Sequence, residues 1–360
     1  MKIDAIMKGG PGEALAEAVA LRAIGYDGIW ASELTHDPFL HVARAVSGSP
    51  SDDAADAADT DFGTSIAVAF SRSPMTVAYS AWDLQALTGG RFYLGLGSQV
   101  KAHIERRFSM PWSRPAARMR EYVLALRAIW TSWQEGGKLG FEGEFYRHTL
   151  MTPMFSPDPL PSGPPKIQIA AVGDAMTRVA GEVADGLIAH SFTTRRYIQE
   201  ITLPTVREGL ARAGRDGTGF DLVYAPFVVT GANEKEIAES AAVARERIAF
   251  YASTPSYRGV LELHGWGDLQ TELNAMTKQG KWREMGDLIT DEILAEFAVL
   301  APLDELPAAY ARWIDGVADR TSFTPPESLD NQAAADLITA VRAAIGELRN
   351  HSAERPVASA

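Results

Sequence analysis

The clearest hydrophobic pattern in the chain lies between Phe62 and His103. Gly63 to Phe70 is β-branched and apolar with few charges, which predicts a strand buried on both faces. Ser73-Pro74 predicts a helix start: the serine accepts from an orphan N–H, and proline at the first helical position loses no bond. Met75, Ala78, Tyr79, Trp82 and Ala86 give that helix an apolar face, and Thr88-Gly89-Gly90 closes it. Arg91 to Leu96 is the next strand, and Gly97-Ser98-Gln99 follows at its carboxyl end. Strand, helix and strand in this order form a βαβ unit, which demands a parallel sheet.

The alternation continues through the chain. Further strands are expected at Lys2 to Met7, Gly28 to Ala31, Lys166 to Val172, Gly186 to His190, Asp221 to Thr230 and Ala318 to Phe323. Helices are expected at Pro11 to Ile24, Phe39 to Val46, Lys101 to Glu135, Met176 to Ala184, Arg195 to Ala213, Asn233 to Tyr251, Pro302 to Gly316 and Gln332 to Leu348. Asn233 with Glu236 has capping-box spacing. Ser47 to Asp61, rich in Ser, Ala and Asp, reads as an exposed loop. Gly136 to Pro165 is too apolar to be disordered and reads as an insertion packing over one end of the fold; Ser253 to Val299 reads as a second insertion. Eight strands with helices between them predict an α/β fold, a (β/α)8 TIM barrel, over residues 1–325. Its insertions cover about 98–165 and 253–299, and a terminal helix with a frayed tail fills 326–360. No G-x-G-x-x-G follows the first strand, which counts against a doubly wound dinucleotide fold.

Composition narrows the class. The chain has 360 residues, 46% of them hydrophobic, enough for one large core or two smaller ones. It has no cysteine, so disulfides and thiolate zinc sites are excluded and a reducing cytoplasm is compatible. Met1 to Gly10 alternates like a strand and lacks a signal peptide's apolar core, and no apolar run approaches the roughly 20 residues of a membrane span. A formal charge of −12 disfavours nucleic acid as a partner.

In such a barrel, chemistry gathers at the carboxyl ends of the strands. The second strand ends at Glu33, His36 and Asp37, the fourth at Ser98, Gln99 and His103, the fifth at Val172-Gly173, and the sixth at His190. His36 can exchange a proton near neutral pH, with Glu33 or Asp37 to orient it. The alternative is that Asp37 caps the next helix and His36 is a solvated loop residue. His190 reads either as a catalytic group or as a core histidine bonded to backbone, and His103 as a site residue or a helix-surface one. The spacing of Glu33, His36, Asp37 and His41 matches no zinc motif, so no metal is expected. Gly95-x-Gly97 by itself says little about phosphate, whereas Gly173 sits between a strand and a helix, where free N–H groups favour an anion.

Taken together, these residues resemble a known family. Gly63-Thr64-Ser65-Ile66, Ser73-Pro74 and the run from Gly89 to Gly97 are similar to the strand 3 to strand 4 signature of the bacterial luciferase-like superfamily. Gly25 to Trp30, Ala170 to Gly173, Ala180-Gly181 and Ala184-Asp185-Gly186 add to the likeness. Within that superfamily the chain looks most like the coenzyme F420-dependent oxidoreductases, with the FMN-dependent monooxygenases as the alternative. The resemblance implies a barrel that is commonly a homodimer, acts on a small organic molecule and binds a deazaflavin at the carboxyl end. It implies a non-prolyl cis peptide at Ser65-Ile66 against the cofactor face, a turn with Ser98, Gln99 and His103 lining the cofactor, and a phosphate site at Val172, Gly173, Ala175 and Met176. Where family members carry a proposed acid after strand 4, this chain has Gln99, Val100 and Lys101. The expected proton donor therefore moves to His36, with His190 second and Glu33 beside His36. Lys101, Arg106 and Arg107 are expected to attract the acidic tail of the deazaflavin, and the two insertions to shape a pocket for a hydrophobic substrate.

Overall fold

The computed structural model describes residues 1–47 and 59–353. Most of the expected acidic loop, residues 48–58, and the tail from 354 lie outside them. The chain runs β1 (Lys2–Ile6), α1 (Ala14–Ile24), β2 (Gly28–Ala31), α2 (Pro38–Val46), β3 (Asp61–Thr64), β4 (Ala67–Val68), α3 (Pro74–Leu87), β5 (Phe92–Gly97), α4 (Lys101–Arg106) and α5 (Pro115–Glu135). A small hairpin, β6 (Phe141–Glu142) and β7 (Arg147–His148), precedes β8 (Lys166–Ala171), α6 (Asp174–Val183) and β9 (Gly186–Ala189). Then come α7 (Arg195–Tyr197), α8 (Leu203–Arg212), β10 (Asp221–Tyr224), β11 (Phe227–Val229), α9 (Glu234–Ala252), α10 (Arg258–Leu263), α11 (Gly267–Lys278), α12 (Asp291–Phe297), β12 (Ala298–Leu300), α13 (Leu306–Ile314), β13 (Arg320–Ser322) and α14 (Asn331–Ala353). All eight expected strands are present, and the fold is the closed parallel barrel of (β/α)8 proteins. No helix among the described residues is long and apolar enough to cross a membrane.

The chain divides into two compact units. The first holds Asp4–Ile188 and Thr205–Asp221; the second holds Met1–Ile3, Ala189–Pro204 and the chain from Leu222. In the first, β1 pairs with β2, β2 with β3, β3 and β4 with β5, and β5 with β8, all in parallel. Trp82 of α3 and Tyr122 and Trp130 of α5 are fully buried, and the Trp130 indole N–H donates to the Ala78 carbonyl. In the second unit β10 pairs with β13, β11 pairs with β12, and Tyr310 of α13 packs edge-on against Phe323. The Asn233 side chain accepts from the Glu236 N–H at 3.0 Å, as the capping-box spacing predicts, while the Glu236 carboxylate accepts from the Ala232 N–H at 2.9 Å, one residue before the cap.

Three expectations change. The strand expected at Gly63 to Phe70 is β3 and β4 separated by the Ser65-Ile66 peptide, and it ends in a tight helical turn at Ala69–Ser71. The helix expected from Lys101 to Glu135 is two, α4 and α5. Pro111 and Pro115 cannot continue a helix, and Ser109 and Arg114, in the link between the two helices, adopt positive φ. The strand expected at Asp221 to Thr230 breaks at Ala225-Pro226. Its second half, β11, pairs with β12 at the end of the second insertion, where no strand was expected.

The hydrogen bonds of the first insertion run to α3 and α5: the Tyr79 hydroxyl to the Phe155 carbonyl, the Trp82 indole to Asp158, Gln85 to Gly163, and Glu121 to the amides of Glu144, Phe145 and Tyr146. In chain order the insertion is bonded first to α5 and then along α3, and so reaches the start of β8.

Candidate active site

The carboxyl end of β2 is organised by an ion-pair brace. Glu33 is 6% exposed, and its Oε2 accepts from the Val68 N–H and from Arg72 Nη1, each at 2.7 Å. Arg72 Nη2 reaches Asp37 Oδ2, also at 2.7 Å. Asp37 Oδ1 accepts from the Phe39 and Leu40 amides and so caps α2. Burial works against the Arg72 charge, but the bonds and charges of Glu33 and Asp37 outweigh it and raise its pKa. Both acids are thus committed. Neither hydrogen-bonds His36, contrary to expectation, and Glu33 braces β4 rather than orienting a proton donor.

The Ser65-Ile66 peptide is cis, as the family resemblance implied. It is held from three sides. The Ser65 N–H donates to Ala31, the Ser32 hydroxyl donates to the Ser65 carbonyl at 2.7 Å, and the Glu33 N–H donates to the Ile66 carbonyl. The two glycines of β5 are explained here. A Cβ on Gly95 would lie 1.9 Å from the Thr64 carbonyl oxygen, and one on Gly97 would lie 2.7 Å from Ile66 Cδ1. They let β5 approach the Thr64 to Ile66 segment, and they form no phosphate loop.

His36 is exposed and has no hydrogen-bond partner among the described residues. Its imidazole lies over the Gly10 backbone and edge-on to His41, with ring centroids 6.5 Å apart. His41 is 3% exposed and its Nε2 is buried without a partner. Burial lowers its pKa; Glu17 opposes this and His36 adds to it. His36 therefore faces solvent at this end of the strands, with the buried His41 ring behind it. Sequence reasoning weighed His41 only as a metal ligand and placed Arg72 only at the end of a strand, because nothing local marks a cation or an imidazole as buried.

After β5, Gln99 adopts a left-handed conformation (φ 57°), and the Ser98 hydroxyl donates to the Gln99 carbonyl at 3.2 Å. His103 stands exposed on α4. Arg107 is exposed and its Nη2 donates to the Leu34 carbonyl at 2.7 Å, which positions it without neutralising its charge; Lys101 lies 3.8 Å from Glu105. After β8, Val172 and Gly173 lead into α6, with Ala175 and Met176 in its first turn. Gly173 is the N-cap, no side chain caps this end, and nothing lies within 4 Å of where a Gly173 Cβ would be. The exposed N–H groups of this turn fit a phosphate. Asp174, in the same turn, adds a negative charge that the sequence reading did not weigh.

His190 belongs to the second unit. It follows β9 as expected, and its Nδ1 accepts from the Phe192 N–H at 2.9 Å. Burial, with Arg247 second, lowers its pKa to about 4. It is therefore neutral near pH 7, with its proton on Nε2. That makes His190 a hydrogen-bond donor and not an imidazolium acid. Among the described residues no cluster of metal-ligating side chains forms.

A parallel barrel whose strand ends carry an exposed imidazole, a cis peptide and an open helix N-terminus has the frame of a cofactor-dependent barrel enzyme. The chain belongs to the luciferase-like monooxygenase family, which matches residues 4–320, and it is an oxidoreductase of that luciferase-like type. It is 50% identical over 320 residues to an uncharacterized protein of Mycobacterium tuberculosis, covering 89% of this chain and 92% of that one. It is 29% identical over 241 residues to the 5,10-methylenetetrahydromethanopterin reductase of Archaeoglobus fulgidus, covering 65% of this chain and 67% of the relative. Among solved structures, the coenzyme F420-dependent tetrahydromethanopterin reductase of Methanopyrus kandleri superposes with a TM-score of 0.72 at 16% identity, over 94% of this chain and 96% of that one.

Proposed function

We propose that the protein is a coenzyme F420-dependent oxidoreductase that moves a hydride between the deazaflavin and a small organic substrate. The observation that carries the reading is the open, uncapped N-terminus of α6 at Gly173, an anion seat at the carboxyl end of a barrel strand. The likeness to a methylenetetrahydromethanopterin reductase and to an F420-dependent structure favours the deazaflavin. When bound, that cofactor supplies two-electron hydride chemistry.

The chain's own residues do the rest. The amides at Gly173 and Ala175 hold the phosphate, with Val172 and Met176 flanking them; the Met176 N–H itself donates to the Gly173 carbonyl. Ser65 and Ile66 present the face against which the ring system packs, and Ser98, Gln99 and His103 line its other side. The Glu33–Arg72–Asp37 brace fixes β4 and the start of α2, so that His36 stands at a defined place. His36 gives or takes, at an imidazole nitrogen, the proton that accompanies the hydride. The working form is a homodimer, which light scattering of the purified chain tests.

The family description favours a second reading, an FMN-dependent monooxygenase that uses reduced flavin and oxygen. Parallel fluorescence titrations with oxidised deazaflavin and with FMN separate the two. Tight binding of the deazaflavin alone is the expected result. A preference for FMN overturns it, and binding of neither removes the basis of the phosphate seat.

A further inference from the structure

The second unit gathers aromatic side chains around His190 that the hydride chemistry does not use. Phe192 and Phe297 are fully buried and stacked at 4.7 Å. Two half-buried tyrosines flank His190. Tyr251 meets the His190 ring edge-on at 4.6 Å, and Tyr257 lies over it at 5.0 Å and 31°. Because His190 Nδ1 accepts from the backbone, the free donor is Nε2–H. No hydrogen-bond partner for that group is found among the described residues. Arg247 lies one turn before Tyr251 on the same face of α9. Its guanidinium stands 5.7 Å from the Phe227 ring, and it forms no ion pair or hydrogen bond among the described residues.

We propose that this aromatic cluster binds an apolar or aromatic carboxylate: the tyrosines pack its hydrocarbon part, His190 Nε2–H donates to a carboxylate oxygen, and Arg247 meets the charge. The alternatives fit less well. An aromatic cluster suits an organic cation only where no fixed cation competes, and here Arg247 and a free N–H donor both oppose one. A phosphate would need more donors than one guanidinium and one imidazole. The proposal deepens the oxidoreductase reading by naming a substrate class, and rests on it only for calling the ligand a substrate. Its test needs no cofactor, so either can fail alone.

The test is calorimetric titration of the full chain with 2-naphthoate and with the neutral 2-naphthamide, on wild type, Arg247→Met, His190→Phe and His190→Gln, each checked by thermal unfolding. Wild type is expected to bind naphthoate saturably. Arg247→Met should weaken naphthoate by about tenfold and naphthamide by less than about twofold, as loss of one charge-assisted contact predicts. His190→Phe should weaken both, and His190→Gln, which keeps an N–H donor, should recover most of the loss. Absence of saturable naphthoate binding to wild type overturns the proposal. So does an affinity that neither Arg247→Met nor His190→Phe changes.

Discussion

Replacing Glu33 tests the brace at the end of β2 most directly. The Glu33–Arg72 contact is 2.7 Å between side chains only 6% and 19% exposed. With charge centres roughly 4 Å apart and an effective dielectric of about 20, the attraction is ~4 kcal/mol. Desolvation of both ions takes back part of it. Glu33→Gln keeps the shape and leaves the Arg72 charge facing an amide, at an expected cost of ~3 kcal/mol. Arg72→Met strands the Glu33 carboxylate at similar cost. The double variant removes both charges, so the pair should couple by ~2 kcal/mol. Asp37→Asn is the control. Asn caps a helix as well as Asp does, and the Asp37 side chain is 36% exposed, so its loss should cost ~1 kcal/mol or less. Urea unfolding followed by circular dichroism on the five proteins reads all of these. Additivity of the two single variants to within about 0.5 kcal/mol would refute the claim that this pair holds β4 in place.

The β5 glycines should separate cleanly. Gly95→Ala drives a Cβ into the Thr64 carbonyl and should abolish soluble expression, whereas Gly97→Ala meets the flexible end of Ile66 and should cost ~1–3 kcal/mol in thermal unfolding. Gly173→Asp should leave the melting temperature unchanged or higher, because Asp is a better N-cap, yet weaken a phosphate-bearing cofactor by about tenfold or more through repulsion at the helix N-terminus. Equal cofactor affinity would move the phosphate elsewhere. His36→Ala should slow turnover while sparing cofactor affinity; unchanged turnover would end its role as proton donor. His190 has a folded pKa lowered from 6.5 to about 4, so the unfolded chain binds more protons between those values. Its stabilising effect is complete above pH 6.5 and is lost as pH falls toward 4, by at most roughly 3 kcal/mol. His190→Phe should flatten that part of the stability profile relative to wild type, measured by urea unfolding from pH 7.5 to 4.5.

The sequence by itself determined the alternation of strand and helix, since burial on both faces leaves β-branched runs such as Gly63 to Val68 and amphipathic helices leave a repeat such as Met119, Tyr122, Val123 and Leu126. Caps at Ser73, Asp37 and Asn233 were legible for the same reason: they act within four residues of where they stand. The barrel, the family and the cis peptide at Ser65-Ile66 followed from motifs. Relations across long separations were not legible. Arg72 meets Glu33 across 39 positions, Gly95 makes room for Thr64 across 31, and the strand Ala298–Leu300 exists only because Phe227–Val229 lies beside it. The same holds for the state of the histidines. His36 and His190 read alike in sequence, as imidazoles after a strand. Tertiary structure leaves His36 in solvent and encloses His190 between tyrosines. Whether a side chain keeps its water is decided by residues far away in the chain, and for His190 that burial is what lowers its pKa.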